Sequence, residues 1–376
     1  MIAREDENRA ASGGFAERLL EVIDSGRRTA TYKLAVLMAL LDLCARHSQA
    51  DGQAPRLLHT RDIAEQVAAL YWPQVIPYRL PGSGGAIELR QITLARATIL
   101  VAVSRFRAAV MAGGATSLYL ACQRLPGEYA TMLDQVEVTV AAQPLPRLQA
   151  VGSTETVFPF IYELSWGPRE SFSPARLRRH GPRGPAVRLL PGAGDELIRL
   201  GPLIRPLVEL HWTRMVAEFN GVAKAELDLH RHLFGSDRLI PPKTLRDGLA
   251  ALQGNRCFYC HESLGTGSEA DHFIPRVRSG IDAVENLVLA DRRCNNDKRD
   301  LLPGPAYVTA WVRRNQRHTA ELTHLATASR WDSNPQATVA VARSIYGHLP
   351  NGGTPLWLGF KNVGRANPAA ALAALV

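Results

Sequence analysis

Residues 254–303 read GNRCFYCHESLGTGSEADHFIPRVRSGIDAVENLVLADRRCNNDKRDLLP, and this stretch holds the side-chain types best suited to chemistry. Cys257 and Cys260 stand in a Cys-x-x-Cys knuckle, and Cys294 follows within the same short window. In a chain that opens on MIAREDENRA rather than an export signal, clustered cysteines favour a bound metal over a disulfide. The other two of the five cysteines, Cys44 and Cys122, lie alone in apolar, helix-like sequence and read as buried free thiols. Asp271 and His272 are adjacent in a strand-like run. An imidazole titrates near neutrality, so His272 is suited to take a proton from water. Successive strand residues point to opposite sides, which leaves the Asp271 carboxylate free to hold a hard divalent cation. Asn295 opens the helix that follows and offers a neutral oxygen to the same ion. A cation with a single anionic ligand keeps open positions and Lewis acidity, the requirements of metal-assisted hydrolysis.

These pieces occur in a recognisable order: Cys257-x-x-Cys260, then Asp271-His272-Phe273-Ile274-Pro275, then Glu285-Asn286-Leu287, then Cys294-Asn295-Asn296-Asp297-Lys298. The segment resembles the HNH endonuclease family, the ββα-metal nucleases. The resemblance spans about 50 of the 376 residues and is specific within that window. It implies hydrolysis of DNA phosphodiester bonds, leaving a 5′-phosphate and a 3′-hydroxyl. His272 would be the general base, Asp271 and Asn295 the ligands of one Mg²⁺ or Mn²⁺, and Asn286 the residue that orders the loop and helps orient the base. Lys298, one helical turn beyond Asn295, is expected to meet a phosphate, with an acidic neighbour as the alternative. Arg276 and Arg278 are weaker candidates for backbone contacts. Cys257, Cys260 and Cys294 would bind structural zinc. Families of this kind usually carry Cys or His three residues before the last cysteine, where this chain has Asp291; a carboxylate can also ligate zinc, so Asp291 is the first choice for fourth ligand and His261 the second.

The rest of the chain must position this module. Apolar periodicity predicts helices over Phe15–Ile23, Thr29–Arg46, Thr60–Trp72 and Ile87–Ala112. The pair around Thr60 suits either a helix-turn-helix or winged-helix arrangement or a plain helical bundle. Thr154–Trp166 and Ala186–Leu190 read as strands, separated by an arginine-rich loop with Arg169, Arg176, Arg178, Arg179 and Arg183. Arg176, Arg178 and Arg179 are candidate DNA-backbone contacts, with a solvated loop as the alternative. Gly194–Asn220 reads as a helix, Ala306–Ser329 as another, and the tail carrying Trp357 as a packing segment.

Composition limits the classes. The chain has 44 Lys+Arg against 35 Asp+Glu and a formal net charge of +9, yet only five of the 44 are lysine, so genome bias explains the basicity as readily as nucleic-acid binding does. Gly254–Asp300 holds seven basic and eight acidic residues, so attraction to DNA must come from elsewhere, including the stretch after Leu301 with Arg313, Arg314 and Arg317. No apolar run is long enough to span a bilayer. The reading is a multidomain α+β protein, cytoplasmic and with no membrane role: a helical domain over 1–145, a small β-plus-helix region over 146–240, the nuclease module over 241–305 and a helical packing tail over 306–376. Its partner is DNA, and a partner protein of a restriction or anti-phage defence system is also expected. One HNH centre cuts one strand, so a double-strand break needs a homodimer or a second event. The alternatives are a zinc-stabilised DNA-binding protein without catalysis and a subunit gated by a partner in a defence or repair complex. The chain lacks a Walker-type phosphate loop, so an NTP-driven motor would be a separate chain.

Overall fold

The structure is a computed structural model that describes residues 14–24, 29–80, 85–93, 97–111, 117–150, 158–222, 226–234, 241–350, 353–365 and 367–376. It divides into two compact units, Met1–Cys44 with Pro55–Arg238 and Ala45–Ala54 with Leu239–Val376. Four stretches were expected from the sequence; long-range pairing gathers them into two.

The first unit begins with helix α1 over residues 14–24 and α2, Tyr32–Arg46. Every residue from Leu34 to Leu41 on α2 is buried, so this helix is apolar all round and runs through the core. Strand β1 (Leu57–His59) leads directly into α3 (Thr60–Tyr71). A two-stranded ribbon of β2 (Tyr78–Arg79) and β3 (Ala86–Ile87) precedes α4 (Thr98–Met111), α5 (Leu118–Arg124), α6 (Pro126–Ala142) and the short α7 (Pro144–Arg147). Strand β4 (Tyr162–Glu163), α8 (Pro174–Arg178) and β5 (Ala186–Leu189) follow. Helices α9 (Ala193–Asn220) and α10 (Glu226–Leu233) close the unit. The three-stranded antiparallel sheet has the order β1-β5-β4, with Leu58 opposite Val187 and Tyr162 opposite Leu189. Strand β5 alternates as a one-sided strand should, Val187 and Leu189 inward and Ala186 and Arg188 outward.

Two local expectations are corrected here. The helix predicted over Ile87–Ala112 begins only at Thr98, because Ala86–Ile87 pairs with Tyr78–Arg79 and Gln91 is a buried hub. Its Oε1 accepts from Thr31 Oγ1 at 3.0 Å and Trp212 Nε1 at 2.7 Å, and its Nε2 donates to Gln74 Oε1 at 2.7 Å. A buried amide needs such partners, and they come from distant segments that periodicity cannot register. The strand predicted over Thr154–Trp166 is reduced to Tyr162–Glu163, its residues 154–157 lying outside the described residues.

The arginine-rich loop is largely committed inside the unit. Arg178 pairs with Glu137, whose side chain on α6 is fully buried, and Arg61 joins the same carboxylate at 3.2 Å. Gly184, with φ +73°, lies against Glu137 and Thr60, where no Cβ would fit. Arg176 pairs with Glu170 and stacks on Phe172, and Arg183 pairs with Asp62. Arg176 and Arg178 are therefore corrected from backbone contacts to internal ion pairs, Arg178 compensating the buried Glu137 carboxylate and Arg176 pairing with the partly exposed Glu170. Arg179 alone of the three is exposed and unpaired among the described residues.

The second unit starts with α11 (Lys243–Leu252). Strands β6 (Glu269–His272) and β7 (Leu287–Ala290) pair antiparallel, with Asp271 opposite Val288 and His272 opposite Leu287. The connection between them carries α12 (Arg276–Ser279) and a single 3₁₀ turn, Val284–Asn286. Helix α13 (Arg292–Lys298) completes the ββα motif. Then come α14 (Pro305–Arg317), α15 (Thr319–Ser329), α16 (Pro335–Gly347), the hairpin β8 (Pro355–Gly359) and β9 (Asn362–Arg365), and α17 (Pro368–Ala374). Strand β7 is buried on both faces. Val288 and Ala290 enter a core with Cys257, Phe273, Trp311, Trp357 and Leu375, while Leu287 and Leu289 enter a second with Leu245, Leu249 and Leu322. The short ββα motif thus borrows its core from α11 on one side and from the tail on the other. Segment 45–54 is held to α16, with Ser48 Oγ donating to the Ala340 carbonyl at 2.7 Å.

Candidate active site and metal centre

The knuckle turn at Cys257–Cys260 and the start of α13 face each other through four ligand atoms. The thiols of Cys257, Cys260 and Cys294 and a carboxylate oxygen of Asp291 all lie within 4.8 Å of one another. Tetrahedral zinc with Zn–S near 2.3 Å needs sulfurs about 3.8 Å apart, so the spacing suits zinc after a small contraction. Asp291 divides its two oxygens. Oδ1 caps α13 by accepting from the Cys294 N–H at 2.8 Å, and Oδ2 turns to the thiols, accepting from Cys260 Sγ at 3.0 Å. Burial opposes its ionisation, but hydrogen bonds from Cys260, Cys257 and the Cys294 N–H outweigh this and hold the carboxyl well below the usual range. Burial pushes the Cys257 thiol up to about 11 and raises that of Cys294 as well, so a metal must displace protons to bind here. His261 is outside this cluster: it is exposed at φ +60°, with its backbone N–H closing the knuckle on the Cys257 carbonyl at 3.0 Å.

Strand β6 carries the second set. Glu269 and Asp271 share one face, and His272 takes the other. Asp271 is nearly buried; Tyr259 donates its hydroxyl to Oδ2, and Lys298 Nζ sits 2.9 Å from the same oxygen and 3.3 Å from Oδ1. The third Lys298 donor reaches the His272 carbonyl at 2.9 Å. Burial first, and then the Asp271 charge, hold the Tyr259 phenol far above its ordinary value, so it stays a donor. Asn295 Nδ2 donates to Glu269 Oε2 at 2.6 Å, while its Oδ1 accepts no hydrogen bond among the described residues. The donor set suits a hard cation: Asp271 retains a lone pair on Oδ1, Asn295 Oδ1 is open, and Glu269 lies on the same face.

Asn286 is buried and anchors the loop that leaves β6. Its Oδ1 accepts from the Ile274 N–H at 2.9 Å, and its Nδ2 donates to the carbonyls of Ile274 at 2.9 Å and Ile281 at 3.1 Å. It orders the loop without touching the His272 ring. The ring's partner is Asp282, with Nε2 at 2.8 Å from Oδ1. Glu269 and Asp282 were not singled out from the sequence; the i, i+2 spacing of Glu269 to Asp271 was a usable signal, and nothing local marked Asp282.

Four basic residues are reassigned. Lys298 is fully buried on Asp271, so its expected phosphate contact gives way to the acidic neighbour. Arg276 pairs with Asp282 at 3.0 Å, and Arg278 reaches the Asp300 carbonyl at 3.4 Å. Arg314, expected to add to DNA attraction, is buried and donates to the carbonyls of Glu285 and Leu287; burial lowers its pKa to about 10. Lys298 and Arg314 answer buried acceptors, whereas Arg276 and Arg278 meet partners that are partly or fully exposed.

No described helix is long and apolar enough to cross a membrane. Comparison with curated proteins and with solved structures finds no match. A family model for the HNH endonuclease matches residues 257–301, and one described as a domain of unknown function, DUF8808, matches residues 12–233. With more than half of its length covered by the second model, the chain belongs to the DUF8808 family, and it carries an HNH endonuclease domain at residues 257–301.

Proposed function

We propose that this protein is a metal-dependent endonuclease that hydrolyses DNA phosphodiester bonds. The observation that carries the reading is the pairing on one four-residue strand of a half-exposed imidazole, His272, with a carboxylate, Asp271, beside the open amide oxygen of Asn295 on α13. His272 takes a proton from water as that water's oxygen attacks phosphorus. Asp271 and Asn295 would hold one Mg²⁺ or Mn²⁺, which when bound relieves charge on the phosphate and on the departing 3′ oxygen. Lys298 and Tyr259 keep the Asp271 carboxylate fixed in place, and Asn286 keeps the strand end fixed. The thiol cluster with Asp291 would hold zinc and tie the knuckle to α13, so that Asn295 is presented to β6.

The first unit supplies target recognition in this reading. Strand β1 leading into α3, with β5 pairing back onto β1, supports a winged-helix reading, and exposed Arg179 is a candidate for a phosphate contact. A cytoplasmic role in restriction or anti-phage defence, with a partner protein or a second copy, suits a nuclease module joined to a recognition unit. One observation favours a second reading, a DNA-binding subunit without cleavage: the Asp271 charge is already balanced by Lys298.

The experiment is supercoiled plasmid incubated with the full chain in Mg²⁺, Mn²⁺ or EDTA, beside His272→Ala. Nicking or linearisation that needs metal and disappears in the variant supports the nuclease. Retarded but uncut DNA in every metal supports the binding subunit instead.

A further inference from the structure

We propose that Asp282 is the positioning residue of His272, fixing the imidazole with its hydrogen on Nε2 and its lone pair on Nδ1. This rests on the reading of His272 as the base, and it adds which ring nitrogen acts. Asp282 Oδ1 lies 2.8 Å from His272 Nε2, and Oδ2 lies 3.0 Å from Arg276 Nε. An ionised carboxylate can only accept, so a bond to Nε2 requires the N–H on that nitrogen and leaves Nδ1 as the acceptor. The arrangement is a chain, Arg276 to Asp282 to His272, in which the guanidinium holds one carboxylate oxygen and the ring uses the other.

The loop bearing Asp282 is anchored, so the contact is a built one. Trp331 Nε1 donates to the Asp282 carbonyl at 2.5 Å, the Val284 N–H donates to the Asp332 carbonyl at 2.9 Å, and Asn286 holds the Ile281 carbonyl. Trp331 is itself buried in the core beneath β7. Helix α15 and its C-terminal turn thereby set where the carboxylate stands, ten residues along the chain from the ring it orients.

During hydrolysis a water O–H bond breaks and an N–H bond forms at Nδ1, the water oxygen's electron pair makes the new P–O bond, and the P–O3′ bond breaks with its pair leaving on the 3′ oxygen, which takes a proton from solvent to become the 3′-hydroxyl. The ring becomes an imidazolium, and the Asp282 charge beside it stabilises that form without taking the proton. Arg276 is thereby removed from the candidate DNA contacts and becomes the clamp on Asp282.

The test uses the full chain labelled with ¹⁵N-histidine, at a pH where the ring is neutral, with His272→Ala to assign the signals. The native chain should show the Nε2–H tautomer at His272. Asp282→Asn, which keeps the size of the side chain but can donate, should lose it, and plasmid cleavage should fall about 10²- to 10⁴-fold in kcat with little change in KM. Asp282→Glu should restore part of the rate. An Nδ1–H tautomer in the native chain, or cleavage unaffected by Asp282→Asn, overturns the proposal. The tautomer is read without DNA or metal, so a chain that shows Nε2–H lost in Asp282→Asn supports the positioning role even if no cleavage is found, in which case the nuclease reading alone fails.

Discussion

Lys298 Nζ lies 2.9 Å from Asp271 Oδ2, and the lysine side chain is completely shielded from solvent. The cation spends all three donors on Asp271 and the His272 carbonyl. A lysine so placed holds α13 to β6, and it sets the geometry of the carboxylate proposed as the metal ligand.

Removing one member of this pair should be costly, because the other is left as an uncompensated buried charge. Lys298→Met, which keeps the volume, should destabilise the protein by about 3–5 kcal/mol in urea unfolding. Lys298→Met combined with Asp271→Leu should recover a large part of that stability while leaving no cleavage. Additive losses in the double variant would show that the two residues are not energetically coupled.

Metal removal gives a second outcome. The native chain should contain one zinc per molecule by elemental analysis, retained in mild chelator and lost in Cys257→Ser or Cys294→Ser. At free zinc a thousandfold above Kd, the metal contributes about 4 kcal/mol, or about 8–16 °C in Tm for a unit of this size. Asp291→Cys should bind zinc more tightly than the native chain in a chelator competition, although it forfeits the α13 cap. Because burial raises the Cys257 and Cys294 thiols and zinc must displace their protons, zinc affinity should fall as pH is lowered.

Asn286→Ala removes three hydrogen bonds and strands the Ile274 amide and two carbonyls in a buried loop. A loss of about 2–4 kcal/mol in stability is expected, with cleavage falling alongside. Hydrogen exchange should quicken at Ile274 and Ile281 before it does in β7. Uniform exchange across the unit would contradict a local role for Asn286.

In the first unit, burial pushes the Tyr32 phenol up to about 12, against a hydrogen bond from the Ile99 N–H that lowers it. The folded state therefore holds this proton more tightly than the unfolded chain. The contribution is complete below pH 10 and is lost as pH rises from 10 through 12, on the order of 2–3 kcal/mol. Denaturation of the native chain and Tyr32→Phe across that range should show the native chain losing stability faster; parallel curves would contradict it.

Much of the candidate site was legible from residue type and local spacing. The knuckle, the adjacent Asp271 and His272, Asn286, Asn295 and the unusual Asp291 all stand in short-range order, because a ββα motif places its ligands at strand ends and a helix start only a few residues apart. The α+β class followed from the same texture. The gathering of the chain into two units was not legible, since it rests on Leu58 meeting Val187 and on Trp357 packing against Tyr259.

Charge partners were the other blind spot. From sequence, Arg176, Arg178, Arg276, Arg314 and Lys298 are basic residues whose partners are open; in the fold Arg176 and Arg276 meet the nearby Glu170 and Asp282, while Arg178, Arg314 and Lys298 answer acceptors brought from elsewhere, Glu137, the Glu285 carbonyl and Asp271. By itself the sequence determined which groups can do chemistry here. Only the tertiary structure decided which of them remain available for it, because the cost of burying a charge or a carbonyl is met by whichever partner the packing delivers, and packing is set by contacts across the chain.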